Sequence, residues 1–306
     1  MKIVRLALLC LLPLATHAQR PSQPPARSSA RPSVMGEDWV SLFNGKDLGG
    51  WDIKITGYPL GENWGNTYRV EKGMIRIAYD QYKAFDGRYG HMYYRQPFSH
   101  YKLRFDYRFV GDQTPGGAAW NVRNSGVMFH SQSAQSVGLK QDFPISLEVQ
   151  TLGGLSNGKP RPTANLCSPG TLVRQQGQVN PLHCIESSSK TYDGDQWVSI
   201  EVLVLGDSLI EHRIDGRVVL TYEKPVISGD FVNGQYDLEQ AGVPNPAYWR
   251  ARKDQPLKEG YIALQAESHP IDFRNIKLLN LKGCMNRKAK NYRSYYVVND
   301  EGACRF

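Results

Sequence analysis

The sequence predicts an all-β fold, arranged as a β-sandwich or jelly roll. From about residue 39 onward, apolar and polar residues alternate with the period of half-buried strands. No long segment shows helical periodicity, and Asp-Gly and Gly-Asp pairs between alternating runs predict tight hairpin turns. Many antiparallel strands in about 245 residues are typical of one two-sheet domain.

The strand pattern is clearest in three stretches. KLRFDYRFV (102–110) alternates large apolar residues with charged ones. WVSIEVLVLGDSLIEHRIDGRVVLTYE (197–223) predicts three consecutive strands, joined by turns at Gly206-Asp207 and Asp215-Gly216. GYIALQAESHPIDFRNIKLLNL (260–281) predicts two more strands, which Pro270 separates.

Two segments interrupt this pattern. Residues 153–195 and 228–258 are irregular, and the first is rich in Gly, Pro, Ser and Asn. We therefore predict two long loops, a kind of segment that is commonly functional or disordered.

The beginning of the chain predicts export. Residues 1–18 combine a basic start, a short apolar run and a small-residue cleavage site, the pattern of a secretory signal peptide. That run is too short to cross a bilayer, and no later stretch predicts a membrane span. Residues 19–36, rich in Pro, Ser and Arg, predict a disordered linker. We expect a protein that is secreted, periplasmic or at the cell surface.

The distribution of charge excludes a nucleic-acid partner. The formal net charge is +8, but residues 1–36 carry five basic residues and no acids. Residues 282–306 carry six basic residues and two acids, which leaves the body between these segments at −1. A nearly neutral body has no electrostatic footprint for DNA or RNA.

The four cysteines that follow the signal peptide predict two disulfides. Of the three possible pairings we favour the local one, Cys167 with Cys184 and Cys284 with Cys304. A metal site is the alternative, but the close Cys-x-x-Cys spacing that zinc usually uses is absent. The second pair would close residues 282–306 into a small stapled tail that follows a domain of residues 37–281.

Three predicted strands carry unusual polar faces. A solvent-facing strand surface usually carries Lys, Thr and Ser, whereas these faces are rich in His, Glu, Gln and Asn. One such residue alone would most often be solvated or structural. The residues that alternation assigns to these faces are Asn124, His130, Glu148, Gln150, Gln265, Glu267 and His269.

This set has the chemistry of a carbohydrate site. Amides and carboxylates form directional hydrogen bonds with hydroxyl groups, and a carboxylate or an imidazole can move a proton near neutral pH. Tyr93, Trp120 and Trp249 are candidates for an apolar wall against a sugar ring. His183, beside Cys184, is either a site residue or a loop histidine. Arg274 is either a substrate clamp or a charge partner.

Five motifs in order resemble the 3-keto-disaccharide hydrolase family, over roughly residues 39–281. They are WVSLFNGKDLGGW, NSGVMFHSQ, DFPISLEVQTLGG, TANLCSPGT with the following HC and SSSKTYDGDQWV, and GYIALQAESHPIDFRNIKLL. The resemblance implies a concanavalin-A-like jelly roll, export, and cleavage of glycosides whose glucosyl unit is oxidised to a ketone at carbon 3. The resemblance leaves open whether the glycosidic bond is cleaved by hydrolysis or by elimination.

Our mechanistic hypothesis follows from this resemblance. His130 or His269 is the base, and Glu148 orients that histidine or donates a proton, with Glu267 as a further catalytic candidate. The remaining candidate residues bind the substrate or stabilise its charge. Asn124, Gln150, Gln265 and His183 bind it, and Arg274 or Lys190 stabilises an enolate.

Two other functions stay open. An ordinary jelly-roll glycosidase would use Glu148 and Glu267 as its carboxylate pair, although Gln150 stands where such enzymes often place a second acid. A non-catalytic carbohydrate-binding protein is the third reading. The sequence requires no cofactor; a divalent metal on the His and Glu set stays open, without a ligand motif to support it.

Overall fold

Two antiparallel sheets face each other across a shared apolar core in the computed structural model, which describes residues 36–230 and 237–306. The predicted signal peptide lies outside the described residues, as does the predicted linker apart from Gly36. Among the described residues, no helix has the length and apolar character needed to cross a membrane. The predicted all-β, two-sheet jelly-roll sandwich is confirmed.

The larger sheet has ten strands. They are β1 (Val40–Ser41), β3 (Tyr68–Glu71), β4 (Met74–Ile77), β6 (His100–Phe109), β10 (Thr171–Gln175), β11 (Gln178–Asn180), β13 (Val198–Leu205), β14 (Leu209–Ile214), β15 (Arg217–Ile227) and β17 (Ile271–Asn280). Their order is β11-β10-β15-β14-β13-β6-β17-β4-β3, and β1 also pairs with β17.

The smaller sheet has seven strands. They are β2 (Trp51–Ile55), β5 (Gly90–Tyr94), β7 (Asn124–Ser131), β8 (Leu147–Leu152), β9 (Asn165–Cys167), β12 (Cys184–Ile185) and β16 (Tyr261–Ala266), in the order β12-β9-β8-β7-β16-β5-β2. The helical segments are short: α1 (Pro246–Arg250) and single 3-10 turns at 64–66, 119–121, 134–136 and 301–303.

Alternation along the strands builds the core between the sheets. Phe105 and Val202 of the larger sheet are buried in the same apolar cluster as Val149 and Leu264 of the smaller one. Burial of each such side chain stabilises the fold by roughly 1.5–3 kcal/mol. The opposite face of each strand is thereby left for other roles.

The predicted hairpins are present. Ile214 pairs with Arg217 across the turn, so Asp215 and Gly216 form a two-residue loop between β14 and β15. Both have positive φ angles, 51° and 75°, as a type I′ hairpin turn requires.

Residues 153–195 differ from their prediction as a loop. They contain four short strands, β9 to β12, of two to five residues each. Runs this short, separated by Gly and Pro, are too brief to show a period in the sequence. Pairing of β9 with β8 joins the segment to the smaller sheet, and pairing of β10 with β15 joins it to the larger one. Within the segment, a disulfide between Cys167 and Cys184 links β9 to β12.

The tail forms a small structure of its own. Two short strands, β18 (Lys282–Gly283) and β19 (Val298–Asn299), pair in parallel, and a second disulfide joins Cys284 to Cys304. Both disulfides follow the local pairing that the sequence favours. The tail contacts the start of the domain, where Arg293 forms an ion pair with Asp38.

Candidate functional site

The outer face of the smaller sheet carries most of the predicted site residues. On β16, Ile262 and Leu264 enter the main core, so Ala263 and Gln265 point to the opposite face. Strand pairing continues this face onto β7 and β8, where Gly126 lies opposite Gln150. Glu148 and Gln150 of β8, Gln265 of β16 and Asn124 of β7 lie on the face that the alternation assigns to them.

Gly126 gives the Glu148 side chain room to lie across β7. A β-carbon at position 126 would be 2.6 Å from Glu148 Cγ and 2.7 Å from its Cδ, well inside ordinary contact distance. Since glycine has no β-carbon, the Glu148 carboxyl group can lean over β7 toward β16. Glu267 follows directly on the end of β16.

A cleft of about 620 Å³ opens on this face. Its polar lining residues are Asn124, Asp142, Glu148, Gln150, His183, Gln240 and Glu267. Its apolar walls are formed by Tyr89, Trp120, Phe143, Pro169 and the Cys167–Cys184 disulfide. Apolar walls around a few convergent polar groups are typical of ligand-binding sites.

The cleft floor holds two buried carboxyl groups that influence each other. Burial raises the pKa of Glu148 to about 8. Burial, together with the charge of Glu148, raises the pKa of Glu267 well above its ordinary value, while Arg161 opposes that shift. Glu267 Oε2 has no hydrogen-bond partner among the described residues. Both shifts favour the protonated form of the pair.

Asn124 and Gln150 line the cleft together with this pair. Gln265 lies on the same face of β16 but does not line the cleft. The Asn124 Nδ2 group donates to the Trp120 carbonyl at 3.2 Å, and its buried Oδ1 has no partner among the described residues. Gln150 Oε1 accepts from Asn165 Nδ2 at 3.1 Å. Gln265 is fully buried, and neither of its amide atoms has a partner in the part of the chain that the structure describes. Such groups are suited to the hydroxyls of a ligand.

His183 lies in the cleft wall beside the disulfide. Its carbonyl accepts hydrogen bonds from the Ser168 amide at 2.9 Å and the Ser168 hydroxyl at 3.1 Å, which fixes this part of the loop. Burial lowers the pKa of the imidazole to about 4, so His183 is neutral near pH 7.

The cysteines of the cleft wall do not form a metal site in this state. The Cys167 and Cys184 sulfurs and a ring nitrogen of His183 lie within 4.8 Å of one another. Because the two sulfurs are bonded in a disulfide, they have no thiolate to offer a metal ion. The divalent metal that the sequence left open on the His and Glu residues stays a hypothesis.

His130 lies outside the cleft, contrary to the sequence-based expectation. Its φ of 46° is left-handed, and the pairing of β7 with β16 shifts by a residue at the same place. This bulge turns the imidazole toward the larger sheet, where Nε2 is 3.1 Å from the Gly206 carbonyl. Its assignment as the base is therefore wrong on position.

His269 is also displaced from the predicted face. Ser268 has a φ of 73°, which breaks the alternation immediately after Glu267. The His269 ring instead packs edge-on against Phe109, with ring centroids 5.5 Å apart. Of the predicted acid–base residues, only Glu148 and Glu267 line the cleft.

Arg274 and Lys190 do not reach the cleft either. Arg274 lies on the larger sheet, pairs with Asp106 at 3.1 Å and stacks over Trp197 at 3.8 Å. It is thus a charge partner, the second of its two predicted roles. The Lys190 ammonium lies 4.8 Å from the centre of the Tyr192 ring. Neither position supports a role in binding an enolate.

Of the three aromatic candidates, only Trp120 lines the cleft. It is 55 % exposed and stacks on Tyr89, with ring planes 11° apart. Tyr93 belongs to a small apolar cluster with Met128, and Trp249 packs in a separate cluster.

Sequence reasoning missed five lining residues, Tyr89, Asp142, Phe143, Pro169 and Gln240. Asp142 and Phe143 begin the motif DFPISLEVQTLGG. Their closeness in sequence to Glu148 could have identified them as candidate site residues. Gln240 lies in a segment predicted to be an irregular loop, where no period could place it.

Solved structures that are similar to this chain include the following two. A candidate glycosyl hydrolase from Parabacteroides distasonis is 20 % identical, with 79 % of this chain and 93 % of that chain covered and a TM-score of 0.44. A carbohydrate-binding module from Bacillus subtilis is 10 % identical, with 76 % and 96 % covered and a TM-score of 0.40. No curated protein sequence matches the chain.

The sequence profile of the 3-keto-alpha-glucoside-1,2-lyase-like domain matches residues 38–279, more than three quarters of the chain. That range includes both sheets and every residue that lines the cleft. The protein therefore belongs to the family of 3-keto-alpha-glucoside-1,2-lyase-like domains.

Proposed function

We propose that this carbohydrate-active protein is an exported enzyme that cleaves the glycosidic bond of 3-keto-glucosides, including 3-keto-disaccharides. The observation that carries the proposal is the buried Glu148–Glu267 pair in a cleft of amides and aromatic rings. Family membership supports the substrate class. The two disulfides support export, since such bonds persist in oxidising compartments.

The proposed reaction begins at carbon 2 of the oxidised sugar. The neighbouring ketone acidifies the hydrogen on this carbon, and a carboxylate removes it as a proton. The electron pair passes into the ketone as an enolate and then expels the aglycone from carbon 1, which leaves a double bond between carbons 1 and 2. Addition of water to that double bond gives net hydrolysis. If no water adds, the unsaturated 3-keto sugar is released as the product of elimination.

The carboxyl pair is suited to both proton transfers. One member, ionised, acts as the base, and a raised pKa makes that carboxylate a stronger base toward a carbon acid. The other member, still protonated, donates to the departing aglycone oxygen. The pair thereby replaces the histidine bases expected from the sequence.

Neutral donors complete the proposed site. The uncharged His183 imidazole can donate an N–H to the developing enolate oxygen, which is the charge that must be stabilised. Asn124, Gln150 and Gln265 are proposed to hold the sugar hydroxyls.

The test is to measure turnover of a chromogenic 3-keto-α-glucoside by Glu148→Gln and Glu267→Gln. The amide keeps the volume of each side chain but cannot exchange the proton, so each variant should lose at least about 10²-fold in kcat. Arg274→Gln, on the larger sheet, is the matched control and should retain activity. Normal turnover by both Glu variants would rule out this site.

An ordinary glycosidase is the second candidate, because two carboxyl groups that share a cleft could serve as its acid and nucleophile. Turnover of the unoxidised glucoside at a rate equal to or above that of the 3-keto form would favour it. Binding of both sugars without turnover of either would instead identify a carbohydrate-binding protein.

A further inference from the structure

The C-terminal tail, residues 282–306, lies beyond the family match, which ends at residue 279. It carries six basic residues and two acids, Asp300 and Glu301. One base, Arg293, forms an ion pair with Asp38 of the domain. The other five have exposed side chains and form no ion pair with an acidic side chain of any described residue. Lys282 belongs to β18; we call the remaining four the basic tail patch: Arg287, Lys288, Lys290 and Arg305.

Backbone contacts bring the members of this patch together. The Lys290 amide donates to the Arg305 carbonyl at 2.8 Å, and the Arg305 amide donates to Asn291 Oδ1 at 2.9 Å. The Lys290 ammonium donates to the Phe306 carbonyl at 3.1 Å. The Cys284–Cys304 disulfide closes the same loop. The fold of the tail thus brings Lys290 next to Arg305, and Arg287 and Lys288 precede Lys290 in the sequence by three and two residues.

Exposed apolar side chains accompany the charges. Phe306 is 72 % exposed and directly follows Arg305, and Met285, beside the disulfide, is 42 % exposed. Unpaired cations beside exposed apolar groups fit the boundary of a lipid bilayer, where anionic headgroups meet the acyl region. An anionic polysaccharide would satisfy the cations but would leave Phe306 and Met285 in water.

We propose that the basic tail patch docks the protein on an anionic lipid bilayer, with Phe306 inserted at the headgroup boundary. Each cation near such a surface raises partitioning roughly fivefold. The docking would be reversible and would weaken as salt rises.

The experiment measures partitioning of residues 19–306 to vesicles of phosphatidylcholine with 30 % phosphatidylglycerol, and to pure phosphatidylcholine. The variant Lys288→Glu/Lys290→Glu/Arg305→Glu reverses three charges of the patch. Its matched control reverses the exposed Lys46, Lys83 and Lys159 on three other segments, so the net charge is the same. Near-ultraviolet circular dichroism checks that both fold.

We expect binding to the anionic vesicles only, reduced about a hundredfold or more by the patch variant and far less by the control. Phe306→Ser should weaken vesicle binding while binding to dextran sulfate stays unchanged. The proposal would be overturned if the patch variant and the control variant lost vesicle binding equally. It would also be overturned if the protein did not bind anionic vesicles at low salt, or if it bound dextran sulfate but no vesicles. None of these outcomes depends on turnover of a sugar, so the proposed enzymatic function is tested separately.

Discussion

Gly126→Ala tests the role of Glu148 by moving its carboxyl group without replacing it. The new β-carbon would lie 2.6 Å from Glu148 Cγ, whereas ordinary contacts begin at 3.4 Å. The Glu148 side chain must therefore retreat by about 0.8 Å or more, and a displacement near 1 Å in an active site can cost about 10²-fold in rate.

The stability cost of the same change should be small. Gly126 is not among the residues with positive φ, so alanine fits the backbone there. The atoms that must move all belong to the Glu148 side chain and none to the backbone. We expect a change in unfolding free energy within about 1–2 kcal/mol, at the low end of the range for overpacking. Loss of activity would thus be separated from loss of folding.

The assay compares kcat and KM for a 3-keto-α-glucoside with the urea midpoint of each variant. Gly302→Ala is the matched control, since a β-carbon there meets only Asp300 Oδ1, at 3.5 Å. We expect kcat to fall about 10²-fold for Gly126→Ala and to stay unchanged for Gly302→Ala. Wild-type kcat in Gly126→Ala, with a crystal structure that shows Glu148 displaced, would refute the catalytic role of Glu148.

Three further predictions follow from the same geometry. Burial raises the pKa of Glu148 to about 8, so the stability that its bound proton contributes is fully present below the unfolded pKa of 4.5 and is lost as pH rises toward 8. The unfolding free energy of Glu148→Gln, which has no such proton to lose, should therefore exceed that of the wild type by a margin that grows between pH 4.5 and 8. Urea titrations at several pH values measure this margin. Trp120→Ala should raise KM up to about tenfold with little change in kcat, because it removes a stacking surface that touches no reacting atom; an unchanged KM would exclude this role. His130→Ala should lower the unfolding free energy by about 2–4 kcal/mol and leave kcat intact, since the buried ring contacts the larger sheet; a collapse of kcat in the folded variant would restore His130 as a catalytic candidate.

The sequence predicted the cleft floor where strands are regular. The alternation of β16 places Gln265 on the outer face, and Glu267 continues it into the cleft. Glu148 and Gln150 follow the same rule on β8. A period of two is a direct consequence of strand geometry, so it can be read without knowledge of the fold.

The prediction of side-chain positions failed where the backbone departs from regular strand geometry. It also failed where the position of a residue depends on pairing between distant strands. His130 and His269 are misplaced because left-handed φ angles at His130 and Ser268 interrupt the alternation, and neither residue type announces such an angle. For Arg274, the charge-partner role agrees with the structure, whereas the substrate-binding role does not. The reason is that the sequence does not specify which of the two sheets a strand joins. The roles of Phe143 and Gln240 likewise depend on how loops fold over the sheet.

The disulfide between β9 and β12 has a consequence for association with other chains. β12 is the edge of the smaller sheet, beside the cleft, and an edge strand presents unpaired backbone groups that can recruit another strand. This edge is only two residues long and is covalently fixed to its neighbour. It is therefore a poor template for strand addition, and the sheet is protected from edge-to-edge aggregation on the side of the cleft.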